Sequence, residues 1–448
     1  REEEWAIAKG GASRHVAPSM TELSASPDSL IPEDPAPDPF SPGTSVFRHF
    51  DFRLFWIARL LSTLAVMCEA VTIGWQVYAL ARVTHSVDES AFLVGMVGLA
   101  QFLPLFALTL FAGEAMDRYN RKAIMLLCLL AEFVCDAGLA LLALHPQPSL
   151  VPIFAIAVIF GAIRAFPVTS AVAPMLVPRA ELPRALASSS LASQGARVLG
   201  PMLAGVLIGL SPGASYGAAA ALFAVSAVCI ALIRADTTPD YQGGKRMDLI
   251  KEGLVYVWSN KIVLGAISLD LFAVLLGGAT ALLPVFARDV LHVGATGFGI
   301  LRSGPAIGAM IMAFLLSRAP IRKHAGLWMF GGVTAFGLAT LVFAVSKLIV
   351  VSVIALAVLG AGDMLSVYVR QTLEQIATPD IMRGRVSAIA TVFVGASNEL
   401  GEFETGVIAR WLGPVGAALF GGVGSLMVVG GWAKLFPALR QADQLVQD

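Results

Sequence analysis

The residues of this chain best placed to do chemistry are ionisable side chains set inside long apolar runs: Glu69, Asp270, Asp363, Glu399 and Glu402 among the acids, Arg164 and Arg197 among the bases. An acid or Arg at the centre of a bilayer costs roughly 2.5 to 3.5 kcal/mol on insertion scales, so such residues pair with one another or mark a path for substrate and ions. A buried carboxylate there can take up and release a proton. A buried guanidinium can neutralise that acid or hold an anionic group of a substrate. Ser62, Glu69, Thr72 and Gln76 follow one another at intervals of seven, three and four residues, with Arg59 at the edge of the same stripe. On a helix these share one face. The stripe reads as the lining of a transmembrane path, with a hydrogen-bonded seam between helices as the alternative. Thr391, Gly395, Asn398, Glu402 and Thr405 form a second such face, with Glu399 beside it. Asp270 and Asp363 fit a path or a salt bridge near a helix end equally well. Glu132 and Asp136 lie four apart and take no assignment.

The elements that must carry these residues are membrane helices. Of 448 residues 57% are hydrophobic and 14% charged, against roughly 25% charged in soluble domains. Apolar runs of about 20 residues, long enough to cross as helix, start near Phe52, Ala91, Ala123, Leu150, Ala187, Ser215, Ile262, Gly297, Ala325, Leu348, Val386 and Val415. Twelve crossings alternate sides. Sorting the loops places twenty Lys and Arg residues, Arg370 included, on one side and only Arg82, Arg288, Lys347 and Arg410 on the other. By the positive-inside rule the first side is cytoplasmic and holds both termini.

An internal repeat divides the run. Pro104 recurs as Pro305, Arg121 and Lys122 as Arg322 and Lys323, Pro178 as Pro379, Arg184 as Arg385, and Glu69 as Asp270, every pair 201 apart. The expected organisation is a disordered tail over 1–46, a six-helix bundle over 47–234, a cytoplasmic linker with an amphipathic helix over 235–261, a second six-helix bundle over 262–436 and a tail over 437–448. Because residue 1 is Arg and Met20 is the first methionine, residues 1–19 are expected to precede the native start. Two pseudo-equivalent bundles predict a substrate path between them, opened to each side in turn. Gly195, Gly200, Pro201 and Gly205 put small residues and a kink in the fifth helix, where backbones can approach.

Other classes find little support. The formal net charge is zero, which excludes a general nucleic-acid binder. Cys68, Cys128, Cys135 and Cys229 stand singly and read as packing residues, and neither a Walker A nor an H-E-x-x-H pattern occurs, so no metal, no cofactor and no enzyme activity is expected. Gly213-Ala-Ser215-Tyr-Gly217 fits the nucleophile-elbow pattern, but it sits in a short turn between helices with no preceding strand, and is taken as accidental.

The loop after the second helix, Gly113-Glu-Ala-Met-Asp117-Arg118-Tyr-Asn120-Arg121-Lys122, resembles motif A of the major facilitator superfamily, departing from it at Ala115 and Asn120. Leu176-Val-Pro-Arg-Ala-Glu-Leu-Pro-Arg184, Arg383-Gly-Arg385 and the run Gly395 to Glu402 resemble the bacterial branch of enterobactin-exporter-like and macrolide-efflux-like proteins. The resemblance implies an all-α membrane protein of twelve helices in the major facilitator fold, lodged in the bacterial inner membrane. It implies a secondary active exporter of siderophores, drugs or related amphipathic metabolites, driven by the proton gradient and able to work as a monomer. It assigns conformational gating to Gly113, Asp117, Arg118, Arg121 and Lys122, with Asp117 against the start of the eleventh helix near Arg385 and Val386. Arg164 resembles the arginine of motif B, and the Gly200-Pro201 run resembles the antiporter motif. Proton coupling and the substrate cavity are expected among Glu69, Gln76, Arg164, Arg197, Asp270, Asp363, Asn398, Glu399 and Glu402. An uncoupled facilitator or importer of the same fold is the alternative, and a scaffold or receptor a more distant one. Phe92, Phe102, Phe106, Trp75 and Phe272 would suit an apolar substrate lining and equally a lipid-facing or helix-packing surface.

Overall fold

The protein was analysed as a computed structural model that describes residues 46–145, 149–166, 172–178, 181–238 and 246–441, without the side chains of Leu110, Asp117, 246–250, Asp380 and Ile381. The N-terminal tail, the residues before Met20 and the stretch beyond Gln441 lie outside the described residues. Among those described there is no β-strand, and the chain is helical nearly throughout.

The first six membrane helices are α1 (Phe50–Thr84), α2 (Val87–Arg118), α3 (Arg121–Leu142), α4 (Leu150–Arg164), α5 (Leu182–Leu210) and α6 (Pro212–Ala231). The linker helix Arg246–Ser259 follows. The second six are α7, which starts as Lys261–Leu276 and continues through short 3-10 and α turns into a π-helical turn at Phe286–Val290, then α8 (Gly294–Arg318), α9 (Ala325–Val345), α10 (Ile349–Ala377), α11 (380–412) and α12 (414–435). Ten helical stretches are long and apolar enough to cross a membrane, and Leu150–Arg164 is a shorter apolar one. The last stretch is two crossings: Gly413 takes φ +73 inside it, and Pro414 follows. A positive φ suits glycine, and Pro414 removes the backbone donor that would carry the helix through.

Local sequence sets the helix starts. Ser86 and Glu89 form a reciprocal capping box at α2. Asn120 accepts from the Ala123 amide at α3, Ser149 from Val151 at α4, Ser211 from Ala214 at α6 and Asn260 from Ile262 and Val263 at α7. Each cap satisfies an amide that the helix leaves open. Asn120 stands where motif A has a glycine, and capping explains its presence.

In the first half α1 packs on α5 and α6, α3 on α6 and α2 on α4; in the second α10 packs on α8 and α9. The halves meet through two pairs in pseudo-equivalent positions, α2 with α11 and α5 with α8. Both crossings are backbone-close. A Cβ on Gly95 would stand 2.7 Å from the Cα of Gly406, and one on Gly205 would stand 2.9 Å from the Cα of Gly299. Call the side where α1 begins the near side. Gly95, Gly406, Gly205 and Gly299 all lie within about three turns of their helices' far-side ends. Toward the near side, Ser190 and Arg197 of α5 and Ser387, Thr391 and Asn398 of α11 are exposed. The halves are thus sealed on the far side and present polar, solvent-accessible faces on the near side.

Candidate functional site

Arg164 ends α4, and its Nη1 donates to Oε1 of Gln101 on α2 at 2.7 Å and to Oε1 of Glu399 on α11 at 2.9 Å. The second bond joins the two halves by an ion pair, with the side chains 32% and 16% exposed. Glu402, one turn further along α11, rests against Gly98 of α2 and is 3.7 Å from Nη2 of Arg302 on α8. Arg302 also donates to the carbonyl of Thr280 at 3.1 Å. Two carboxylates on one face of α11 are therefore met by guanidinium groups from opposite halves. Arg164 is within electrostatic reach of Glu69 and Glu132 as well.

Glu69 is buried on α1, with Asp136 and Glu132 of α3 as its charged neighbours besides Arg164. Asp136 is wholly buried, and neither carboxylate oxygen has a hydrogen-bond partner among the described residues. The remainder of the α1 stripe turns into the first half: the Thr72 and Ser215 hydroxyls are 2.6 Å apart, and Tyr216 donates to Oε1 of Gln76 at 2.8 Å. The interhelical seam, rather than a path lining, describes Thr72 and Gln76. A buried hydroxyl or amide must be satisfied, and α6 supplies the partner.

In the second half Asp270 accepts from Ser366 at 3.1 Å and lies 3.2 Å from Nε of Arg370, whose Nη1 donates to Glu374 at 3.0 Å. The positive-inside count put Arg370 in a loop; it is instead buried inside α10. Here the pair is a helix-to-helix bridge deep in one half, because two acids compensate the charge. Asp363 lines a cavity of about 10 Å³ with Asp270, Ser366 and Phe336, room for about one water.

The near-side loop between α2 and α3 is tied to its own half. Arg118 pairs with Glu114 at 2.9 Å, Arg121 donates to the carbonyl of Met116 at 3.4 Å, and Lys122 donates to the last carbonyls of α6 at Ala231 and Ile233. Gly113 is half-buried, and the side chain of Asp117 is outside the description. Arg385 donates to Glu252 of the linker helix. Gly200 packs against Met67 and Gly205 against α8, while Pro201 lends its carbonyl to the approach of Gly299. At Gly195, by contrast, nothing among the described residues lies within 4 Å of where its Cβ would be. The aromatic candidates do not form one lining either. Trp75 stacks on Phe298, Phe102 on Phe106, Phe272 tilts against Trp432 and Phe92 lies under Arg410.

Gln101, Arg302, Tyr78 and Asp289 were not among the sequence candidates. Gln101 and Arg302 carry the repeat spacing of 201, a signal that would have found the second from the first. Asp289, in the π-helical turn, accepts a hydrogen bond from Tyr78 and lies 3.5 Å from Nε of Arg82, linking α7 to α1 at the far side.

Twelve membrane helices in two pseudo-equivalent bundles, joined through a charged contact, define a major facilitator transporter. The profile of the transmembrane secretion effector family matches residues 39–448, and the chain belongs to that family. It is 28% identical over 382 residues to the enterobactin exporter EntS of Citrobacter koseri, covering 85% of this chain and 86% of that protein. The EntS protein of Escherichia coli O1:K1 is 27% identical over the same length, with the same shares of the two chains. Among solved structures, the D-xylose–proton symporter superposes with a TM-score of 0.65 at 13% identity over 86% of this chain and 98% of that one. A bacterial homologue of the lysosomal transporter Spinster, inward-facing and unoccupied, gives 0.63 at 14% identity over 88% and 96%. At these identities the two structures bear on the fold alone.

Proposed function

We propose that the protein is a proton-coupled exporter of siderophores, drugs or related amphipathic metabolites, working by alternating access in the bacterial inner membrane. The near side is then cytoplasmic with both termini on it, and one chain suffices. Export of siderophore-like compounds draws on the likeness to the enterobactin exporters. The observation that carries the coupling is the Arg164–Glu399 pair between the halves, with Glu69 in reach of the same guanidinium. When Glu399 is ionised, Arg164 holds it and the halves stay tied at mid-depth. When Glu399 takes a proton, Arg164 loses that partner and turns to Glu69, and the halves are free to rock. Glu402, Asp270 and Asp363 are alternative proton sites, and Asn398 a supporting polar group. In this scheme the loop Gly113–Lys122 gates the near side. A proton moving inward down 100 mV supplies about 2.3 kcal/mol, which drives a roughly 50-fold gradient of a neutral substrate.

The test is fluorescence-quench detection of proton movement in inverted vesicles as siderophores and amphipathic drugs are added, for wild type, Glu399→Gln and Glu69→Gln. Substrate-triggered proton release is expected in wild type and lost in Glu399→Gln. Substrate movement with no proton release in wild type would make the protein an uncoupled facilitator. Release that survives both substitutions would move the proton site to Glu402, Asp270 or Asp363.

A further inference from the structure

Arg59 on α1, Arg164 on α4, Arg197 on α5 and Arg302 on α8 are four of the arginines carried by the membrane helices. Two are matched by acids, Arg164 by Glu399 and Arg302 by Glu402. The other two are not. Arg59 donates through Nε to the Ser193 hydroxyl of α5 at 2.8 Å, and Arg197 lies one turn beyond Ser193 on the same helix. The charged group in electrostatic contact with Arg59 is Arg197, a like charge. Neither has a carboxylate partner among the described residues. Arg59 is half-buried and Arg197 exposed. Along their helix axes they stand roughly 13 and 22 Å in from the near-side ends of α1 and α5, at about 1.5 Å per residue, deep within the bilayer span.

An isolated guanidinium at that depth is costly, and two neighbours of like sign add repulsion to desolvation. Such a pair is stable when one anion is shared between them, since each guanidinium offers a planar fork of donors to an oxyanion. The wall around them is built for a polar group. Ser190, Ser193, Gln194 and Arg197 fall within about 100° of arc on α5, and Ser190 and Arg197 are exposed.

We propose that Arg59 and Arg197 form an anion subsite that receives the acidic group of the transported molecule, a carboxylate or comparable oxyanion, from the near side. This rests on the transport reading above and names the substrate class for the same opening. The adjacent Arg164–Glu399 pair is left to couple the halves, so anion recognition and coupling use different arginines. An anionic lipid headgroup offers the same chemistry, and the experiment separates the two sources.

The full chain in zwitterionic nanodiscs is titrated with pyrenebutyrate and with its neutral methyl ester, reading tryptophan quenching, for wild type, Arg197→Gln and Arg59→Gln/Arg197→Gln. The anion is expected to bind wild type at least tenfold more tightly than the ester. Each Gln substitution should weaken the anion about tenfold, the loss of a charge-assisted hydrogen bond, and leave the ester unchanged. Ester binding therefore reports folding. Equal binding of the two compounds to wild type overturns the subsite, as does an anion preference that survives in the double variant. Loss of the preference when anionic phospholipid is included gives the site to lipid and overturns the substrate assignment. The transport reading is scored separately on wild type, by substrate-triggered proton release in inverted vesicles; its failure there would sink that reading, while the anion titration alone decides the subsite.

Discussion

Asp289 is the acid whose removal should change the far-side seal most directly. It sits in the π-helical turn at the end of α7, accepts from the Tyr78 hydroxyl and lies 3.5 Å from Nε of Arg82, both on α1. Tyr78 is fully buried, while the ion pair is about a quarter exposed on each side. A hydrogen bond to a charged group contributes about 1.5–3 kcal/mol net, and a partly exposed pair about 0.2–1 kcal/mol. Asp289→Ala therefore costs the sealed state about 2–4 kcal/mol. That shifts the balance toward an open far side by roughly thirtyfold or more, at tenfold for each 1.4 kcal/mol. Asp289→Asn keeps an acceptor for Tyr78 and should shift it less; Tyr78→Phe should remove the hydrogen-bond share and keep the packing. Spin labels at Leu144 and Leu348, exposed at far-side ends of α3 and α10 and belonging to opposite halves, report the opening by pulsed EPR. A longer distance should gain weight in the order wild type, Asn, Ala. An unchanged distribution in Asp289→Ala would refute the idea that this contact holds the seal.

Two further outcomes follow from packing and charge. Gly95→Leu puts a branched side chain where even a Cβ lies 2.7 Å from Gly406; it should abolish substrate gradients in vesicles at normal expression, whereas Gly138→Leu, with open space around it, should not, and full transport by Gly95→Leu would show that the crossing can part. Arg370→Met leaves Asp270 and Glu374 without their compensating charge, a loss of about 3–5 kcal/mol; the melting temperature should fall in a detergent thermal-shift assay and recover at least partly in Asp270→Asn/Arg370→Met/Glu374→Gln. An unaltered melt of the single variant would contradict the pairing.

The architecture was legible because lipid makes helix length and hydropathy direct readouts of topology, and because the landmark spacing of 201 recurs across the halves. Of the fifth-helix glycines, Gly200 and Gly205 have a close neighbour and Gly195 has none among the described residues, a difference composition does not carry because it does not say which face of a helix meets another. The same limit governs the α1 stripe: periodicity put Thr72 and Gln76 on one side of the helix, but only the position of Ser215 and Tyr216 on α6 shows that this side faces inward. Arg370 was misplaced because an arginine near a helix end looks like a loop residue until its acids are found, and Asp270 is 100 residues away in the chain. Asp289 escaped notice because it follows the apolar run of α7, where an acid costs nothing to place in sequence terms.

The buried ion pairs divide into two kinds by where they lie. Arg370, Asp270 and Glu374 belong to one half, with side chains 9% exposed or less. Opening that network would strand charge in a low-dielectric interior, where the penalty is several kcal/mol per ion. Arg164 and Glu399 belong to different halves and remain 32% and 16% exposed. Glu69 is a second acid within electrostatic reach of Arg164. A pair near 4 Å at an effective dielectric of about 20 is worth about 4 kcal/mol before desolvation, close to the sum that a proton and a modest voltage can offset. If the halves rock as proposed, a contact made and broken in each cycle must have an energy of that order. Among the ion pairs described, Arg164–Glu399 meets that condition and the Arg370 network does not.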